Sequence, residues 1–286
     1  MPERIILDTD IGDDIDDAYA LSMLLNSPEF TLEGVVTVHG AVDRRAQMAR
    51  KLLRLAGRDD IPCLPGRSGQ GDPEAVPNQT RWAQDEEAPA GDGVAFIVQT
   101  LLAAPSEISL VAIGAYTNIA AALAADPGVV KAVKRIFLMG GSVRRGYGSP
   151  TPEAEYNVKC DPAAAQRVLD LAPGKIHLVP LDVTARAHLT PAQVAQIAAS
   201  DRPLARAMTE LLPYWRGDRT DIMPCLHDPL CCALMARPEF CRGQMLHLEV
   251  TADGMTREIA GRPNAFVFLE PDLGPFFPFF MQRLLA

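Results

Sequence analysis

The sequence predicts an α/β protein built on an open, mostly parallel sheet flanked by helices. Short apolar runs alternate with helical stretches through residues 5–179. The runs are apolar at successive positions, as strands covered by helices on both faces require. Ile5-Ile6-Leu7 opens the first strand, and residues 16–26 follow as a helix with Ala18, Leu21, Leu24 and Leu25 at helical spacing. Thr31 to Val38 predicts the second strand, and Arg44 to Ala56 the next helix, closed by Gly57. Residues 66–91 carry Gly66, Gly69, Gly71, Pro73, Pro77, Pro89 and Gly91, too many breakers for a regular element.

Helices near 93–103 and 118–125 bracket a strand at Ser109 to Ile113, and Arg135 to Met139 is the next strand. Gly140, Gly141, Gly146, Gly148, Pro150 and Pro152 mark residues 140–156 as a second irregular stretch. Long loops inside a compact domain tend to carry function. A helix at 162–171 and a strand from Lys175 to Val179 continue the alternation. The C-terminal third reads as helices near 190–198, 203–212 and 228–236, then strands around 245–250, 256–259 and 265–269. With no internal repeat, residues 1–286 are expected to form one domain.

The 286 residues are 48% hydrophobic and 22% charged, enough for a sizeable core. The 27 basic residues against 36 acidic ones leave a formal charge of −9. A nucleic-acid surface needs clustered Lys and Arg, so no nucleic-acid partner is expected. No run of apolar residues is long enough to span a membrane, and Met1-Pro2-Glu3-Arg4 leads straight into a strand with no leader-like stretch. Cys63, Cys160, Cys225, Cys231, Cys232 and Cys241 form no CxxC pair, which predicts reduced, mostly buried thiols, no zinc site and a cytoplasmic location.

The richest feature is Asp8-Thr9-Asp10-Ile11-Gly12-Asp13-Asp14-Ile15-Asp16-Asp17, with six carboxylates where the first strand gives way to a helix. Ligands of open parallel sheets bind beyond the carboxyl ends of the strands. One or two acids suit a helix N-terminus, but six crowded together repel one another unless a cation is shared among them. Dense hard oxygen donors point to Ca²⁺ or Mg²⁺. The Asp8-Thr9-Asp10 piece alone resembles the haloacid-dehalogenase phosphatases, which would make Asp8 a nucleophile and Asp10 an acid and base, with Mg²⁺ nearby. That reading needs a downstream lysine and a second acidic motif, which are hard to place.

The whole stretch has further partners. Asp8-Thr9-Asp10-Ile11-Gly12 with Asp16-Asp17-Ala18-Tyr19-Ala20-Leu21 resembles the opening signature of the inosine-uridine-preferring nucleoside hydrolases. Gly114-Ala115-Tyr116-Thr117-Asn118-Ile119-Ala120 is similar to that family's second motif. Met139-Gly140-Gly141, Ala154-Glu155-Tyr156-Asn157, Asp161-Pro162, Leu181-Asp182-Val183-Thr184 and His227-Asp228-Pro229-Leu230 complete the set, in order along the chain.

The resemblance implies a Rossmann-like nucleoside hydrolase fold, a nucleoside substrate, a Ca²⁺ ion and a homodimer or homotetramer. It implies that Asp10, Asp17, Asp228 and the main-chain carbonyl of Thr117 hold the ion, and that Asp10 takes the proton from the attacking water. Asp16 would accept from the ribose 2′-hydroxyl, while Glu155 and Asn157 bind the outer ribose hydroxyls and Asn157 supports the developing cation. His227 would contact or protonate the leaving base. Each residue also has a plainer reading: Asp228 as a helix N-cap, His227 as packing, Thr117 and Asn118 as a turn, Glu155 as loop surface.

Three departures bear on specificity. The acidic turn is two residues longer than the common family form, leaving Asp14 or Asp16 for the ribose contact. Ala41 and Ser149 stand where the family carries asparagines towards the ribose 5′ end. Either Ser149 or His39 holds the 5′-hydroxyl instead, or the substrate differs there. Trp82 and Trp215 lie in or near loops that can stack on a base, or they are ordinary packing, and Tyr156 is equally open. A ribose binder that kept the metal site but not the chemistry is the remaining alternative.

Overall fold

The computed structural model describes residues 1–286. Its strands are β1 (Glu3–Thr9), β2 (Phe30–Thr37), β3 (Cys63–Pro65), β4 (Ile108–Ala112), β5 (Ile136–Met139), β6 (Ile176–Val179), β7 (Cys241–Leu246), β8 (Leu248–Val250), β9 (Thr256–Glu258) and β10 (Ala265–Pro271). Eight of them form one sheet in the order β3-β2-β1-β4-β5-β6-β10-β7. All neighbours in it run parallel except β7, which pairs antiparallel with β10 at one edge. The helices are α1 (Asp16–Leu25), α2 (Val42–Leu55), α3 (Gly93–Ala103), α4 (Thr117–Ala125), α5 (Pro127–Ala132), α6 (Tyr156–Cys160), α7 (Pro162–Leu171), α8 (Leu181–Thr184), α9 (Pro191–Ala198), α10 (Pro203–Arg216), α11 (His227–Ala236) and α12 (Phe276–Leu284).

Strand side chains alternate between two apolar cores, one on each face of the sheet. Ile5, Leu7, Val35, Val111 and Phe137 pack under α1, α2, α10, α11 and α12. Ile6, Val36, Leu110, Ile136 and Leu138 pack under α3, α4, α5 and α7. This is the mostly parallel, doubly covered sheet that the apolar runs predict.

The differences from the sequence reading have local causes. The single strand expected over 245–250 is two, because the chain leaves the main sheet at His247. The Asn264 side chain takes over there, accepting from the Leu248 N–H and donating to the Leu248 carbonyl, both at 2.9 Å. β3 is three residues long and lies at the other edge, too short for a periodic signal. α12 goes unread in the sequence because its Phe-rich start contains Pro278. That proline sits in the first turn, where no intrahelical donor is required. No helix is long and apolar enough to cross a membrane.

From β1 the chain builds outward to β2 and β3 on one side, then returns to place β4, β5 and β6 on the other. The loops after β1 and β4 therefore diverge and leave a crevice between them, the usual ligand site of an open parallel sheet.

α12 closes the core over α1, with Phe280 fully buried and its ring edge-on to Tyr19 at 5.8 Å between centroids. Phe280→Ala is expected to lower the unfolding free energy by about 3–5 kcal/mol, read from a urea transition. A loss under 1 kcal/mol would show that α12 does not belong to the cooperative core.

Candidate active site

β1 ends at Thr9 and α1 starts at Asp16, so the acidic turn spans residues 10–15 at the crevice. Gly12 holds φ +128°, and a Cβ there would lie 2.8 Å from Thr80 Cγ2, so the turn needs glycine. The Gln79 main-chain N–H donates to the Gly12 carbonyl at 3.1 Å, and its side-chain amide donates to the Asp13 carbonyl at 2.9 Å. The irregular segment 66–91 thus braces the turn from outside through the short 3₁₀ turn Asn78–Ala83.

α1 opens with Asp16 and Asp17, and α11 brings Asp228 to meet them from the far end of the sequence. Oxygens of these three carboxylates lie within 4.8 Å of one another, and all three residues are buried. The Thr9 hydroxyl donates to Asp17 at 2.5 Å and the Asp228 N–H to Asp16 at 3.3 Å. Burial first, and then the neighbouring charges, push all three carboxyls well above the ordinary range. Asp10 faces the same space. Burial lifts it to about 6 against the opposing pull of Arg45. Gly114, just past β4, runs so close that a Cβ would sit 2.8 Å from both the Asp10 nitrogen and its carboxylate.

These groups line a cavity of about 390 Å³ together with Asp13, Asp14, Ile113, Met139, Tyr147, Glu155, Tyr156, Asn157 and His227. No Lys or Arg lines it. Glu155 is not a surface residue. Its carboxylate caps α6, accepting from the N–H groups of Asn157 at 2.9 Å, Gly141 at 2.8 Å and Val158 at 3.2 Å, and burial pushes it up to about 7. Asn157 donates its amide N–H groups to the carbonyls of Ile113 and Met139 at 2.9 and 3.1 Å, which leaves its side-chain oxygen for a ligand. His227 Nδ1 lies 2.9 Å from the Thr184 hydroxyl, and burial pushes the ring down to about 4, so it is uncharged near neutrality.

Of the residues singled out in the sequence, Asp10, Asp14, Asp16, Asp17, Glu155, Tyr156, Asn157, His227 and Asp228 meet at this cavity, and six others stand off its wall. Trp82 packs between α2 and α10, its indole N–H donated to Glu210 at 2.9 Å and the Lys51 ammonium 4.6 Å from its ring centroid. It belongs to the brace behind the acidic turn. The Ser149 hydroxyl pairs with that of Thr151 at 2.7 Å. His39 lies behind Tyr156, ring edge to face at 6.1 Å. The Thr117 hydroxyl donates to Asp161 at 2.7 Å at the start of α4. Trp215, near the end of α10, is partly buried against the apolar core. Asp8 is buried and accepts from Asn118 at 2.7 Å, with no face on the cavity, so it cannot act as a phosphatase nucleophile.

Tyr147 was not singled out. Its ring meets His227 edge-on at 6.2 Å, and its hydroxyl accepts from the Tyr156 N–H at 3.0 Å. The readable signal is an aromatic residue between Gly146 and Gly148 in a loop beyond a strand end.

A cavity rich in carboxylate acceptors, set at the strand-order switch, belongs to the class of α/β enzymes that bind a hard cation and a hydroxyl-rich ligand. Comparison with known proteins narrows this. The profile of the inosine-uridine preferring nucleoside hydrolase family matches residues 5–277, and the chain belongs to that family. It is 30% identical over 278 residues to the inosine-uridine preferring nucleoside hydrolase of Crithidia fasciculata, covering 89% of this chain and 85% of that one. It is 33% identical over 259 residues to the pyrimidine-specific ribonucleoside hydrolase RihA of an Enterobacter species, covering 82% and 79%. Among solved structures, a plant nucleoside hydrolase superposes with a TM-score of 0.88 at 25% identity over 100% of both chains. The purine-preferring ribonucleoside hydrolase from Gardnerella vaginalis gives 0.83 at 25% identity over 99% and 98%. The protein is therefore an N-glycosidase of a metal-dependent family, and its reaction is the hydrolysis of ribonucleosides.

Proposed function

We propose that the enzyme is a Ca²⁺-dependent N-ribohydrolase that releases a free base and ribose, with Asp10 accepting the proton of the attacking water. The observation that carries this reading is the buried triad Asp16, Asp17 and Asp228, within 4.8 Å of one another on the cavity that Asp10 shares. The donor set fits the ion, since it offers carboxylate oxygens with no thiol, which favours hard Ca²⁺ over zinc. Crowded buried carboxylates repel, and a divalent cation relieves both the burial cost and the repulsion. Asp17 and Asp228 of this triad would hold it together with Asp10 on the same cavity, while Thr117, whose carbonyl the family resemblance adds as a ligand, stands off the cavity lining. When bound, the ion supplies fixed positive charge and orients the ribose hydroxyls and the water.

The chain's own groups divide the remaining work. The water oxygen bonds to C1′ as the C1′–N bond breaks, the bonding pair leaves with the base nitrogen, and the water proton passes to the Asp10 carboxylate. Asp16 accepts from the ribose 2′-hydroxyl. Asp14 is less suited, because it stands exposed at the rim and accepts from the Ile15 N–H at 2.7 Å. Glu155 accepts from an outer ribose hydroxyl, and the free oxygen of Asn157 stabilises positive charge on the ribosyl ring. His227 faces the departing base. We further read the chain as one domain that assembles into a cytoplasmic homodimer or homotetramer, in keeping with its six free cysteines.

The first test is a reducing-sugar assay on purine and pyrimidine ribonucleosides with Ca²⁺ and with a chelator. Ribose release that the chelator abolishes is expected, whereas metal binding without ribose release would favour the binder. Asp10→Ala should cut kcat by about 10²- to 10⁴-fold, and a near-normal kcat would refute its role as proton acceptor. Asp228→Ala should lower the Ca²⁺ content of the folded protein by elemental analysis. Unchanged content would leave Asp228 as a helix cap.

The 5′ end generates a separate expectation. Ala41 offers no hydrogen-bonding side chain, and neither Ser149 nor His39 lines the cavity. A 5′-deoxyribonucleoside should keep kcat/KM within about tenfold of its parent, against the roughly 10⁴-fold loss of a site built around that hydroxyl. A loss of the larger size would show that another group grips the 5′-hydroxyl.

A further inference from the structure

One guanidinium lies beneath the acidic turn and is wholly enclosed. Arg45 projects from α2 with 2% of its surface exposed. Its Nε–H donates to the His39 carbonyl at 2.7 Å. Nη1 donates to the carbonyls of Asp10 and of Ile11, the latter at 3.1 Å. Nη2 donates to the Asp13 carboxylate at 2.7 Å. A buried charge is tolerated only when its donors are matched, and here the planar fork meets two backbone segments, at His39 and at Asp10-Ile11, and the side-chain carboxylate of Asp13. The turn it grips on the α2 side is itself unusual: His39 and Gly40 are successive left-handed residues, at φ 68° and 61°.

We infer that Arg45 is a positioning residue for the carboxylates proposed above to hold Ca²⁺ and accept the water proton. It clamps the main chain of Asp10 and Ile11 against the turn at His39, and so fixes the direction in which the Asp10 carboxylate leaves the backbone. Asp13 is the outer arm of this clamp. The lengthened turn therefore contributes a structural acid in Asp13, and the deeper acids remain for ligand and cation. The inference rests on the proposed reading of the site.

Two physical effects of Arg45 oppose each other, and that makes the inference testable. As a nearby positive charge it repels an incoming cation, so a purely electrostatic role predicts that Arg45→Met binds Ca²⁺ more tightly. As a clamp it organises the ligands, so its loss weakens Ca²⁺ binding. Arg45→Lys separates the two, since lysine keeps the charge but cannot bond the His39 carbonyl, the Asp10 and Ile11 carbonyls and the Asp13 carboxylate at once.

The experiment is Ca²⁺ titration by calorimetry on the parent, Arg45→Lys, Arg45→Met and Asp13→Asn, with thermal melts and with kcat and KM at saturating Ca²⁺. Arg45→Lys and Arg45→Met should each weaken Ca²⁺ binding and lower kcat by about 10- to 100-fold, the size typical of groups that orient metal ligands. Asp13→Asn should move both in the same direction by less. It carries the test if the Arg45 variants fail to fold, because Asp13 is half exposed and its loss leaves the core intact. Arg45→Lys with parental affinity and kcat, or Arg45→Met with tighter binding and unchanged kcat, would overturn the inference. In the event of misfolding, an unaltered Asp13→Asn would do so. A parent that releases ribose without binding Ca²⁺ would instead overturn the metal reading, and kcat of the variants would then decide the role of Arg45.

Discussion

The structure depends on keeping like charges together. Asp10, Asp16, Asp17 and Asp228 are all at most 5% exposed, and they crowd a single cavity. Left alone, such a cluster would favour any fold that separated them. The fold counters this from several directions. The N-termini of α1 and α11 both meet at the cluster, so two helix dipoles present their positive ends to it. The Thr9 hydroxyl and the Asp228 N–H add specific donors, and the Arg45 guanidinium adds a positive charge close by. The contact between Asp16 and Asp228 joins residues 212 positions apart, so closing the site also fastens the last third of the chain to the first helix.

The sheet explains why the cluster forms where it does. β1 and β4 are neighbours whose following segments diverge, and at the gap between them the turn after β1, the end of β4 and the start of the loop after β5 come together. Gly114 marks the tightness of that approach. Asn157 completes it by tying the carbonyls after β4 and at the end of β5 with one side-chain amide. The deep part of the site is thus made from strand ends and helix starts, whose positions the two apolar cores fix.

Much of this was legible in the sequence, and the failures follow a pattern. The parallel sheet could be read because apolar runs and helical periodicity are local signals. The acidic turn could be read because the charges are adjacent in sequence. Asp228 could be placed only by resemblance, since nothing local links it to Asp16. Trp82 was legible as an aromatic in a loop but not as a residue behind the turn, because the direction of an irregular segment is set by distant packing on α10. Arg45 left a faint trace. With Ala46, Met48, Ala49 and Leu52 it falls on the buried face of α2, where a charge requires a partner. Ser149 and His39 sit beside the site in sequence, but the backbone turns them away from it.

The same division between scaffold and loop bears on specificity. The groups that would meet ribose and cation leave from rigid element ends. Tyr147 instead belongs to the loop after β5, where Gly148 has no neighbour within 4 Å of a would-be Cβ, so that wall can change without disturbing the core. Tyr147 and His227 meet edge-on and set two rings on the side of the cavity to which the proposed reading assigns the departing base, while the acids offer acceptors to hydroxyls. On the proposed reading, bond cleavage depends on geometry that packing enforces, and base choice on a loop that packing leaves free. A family that retains one chemistry while its members differ in the base they prefer is the expected outcome of that arrangement.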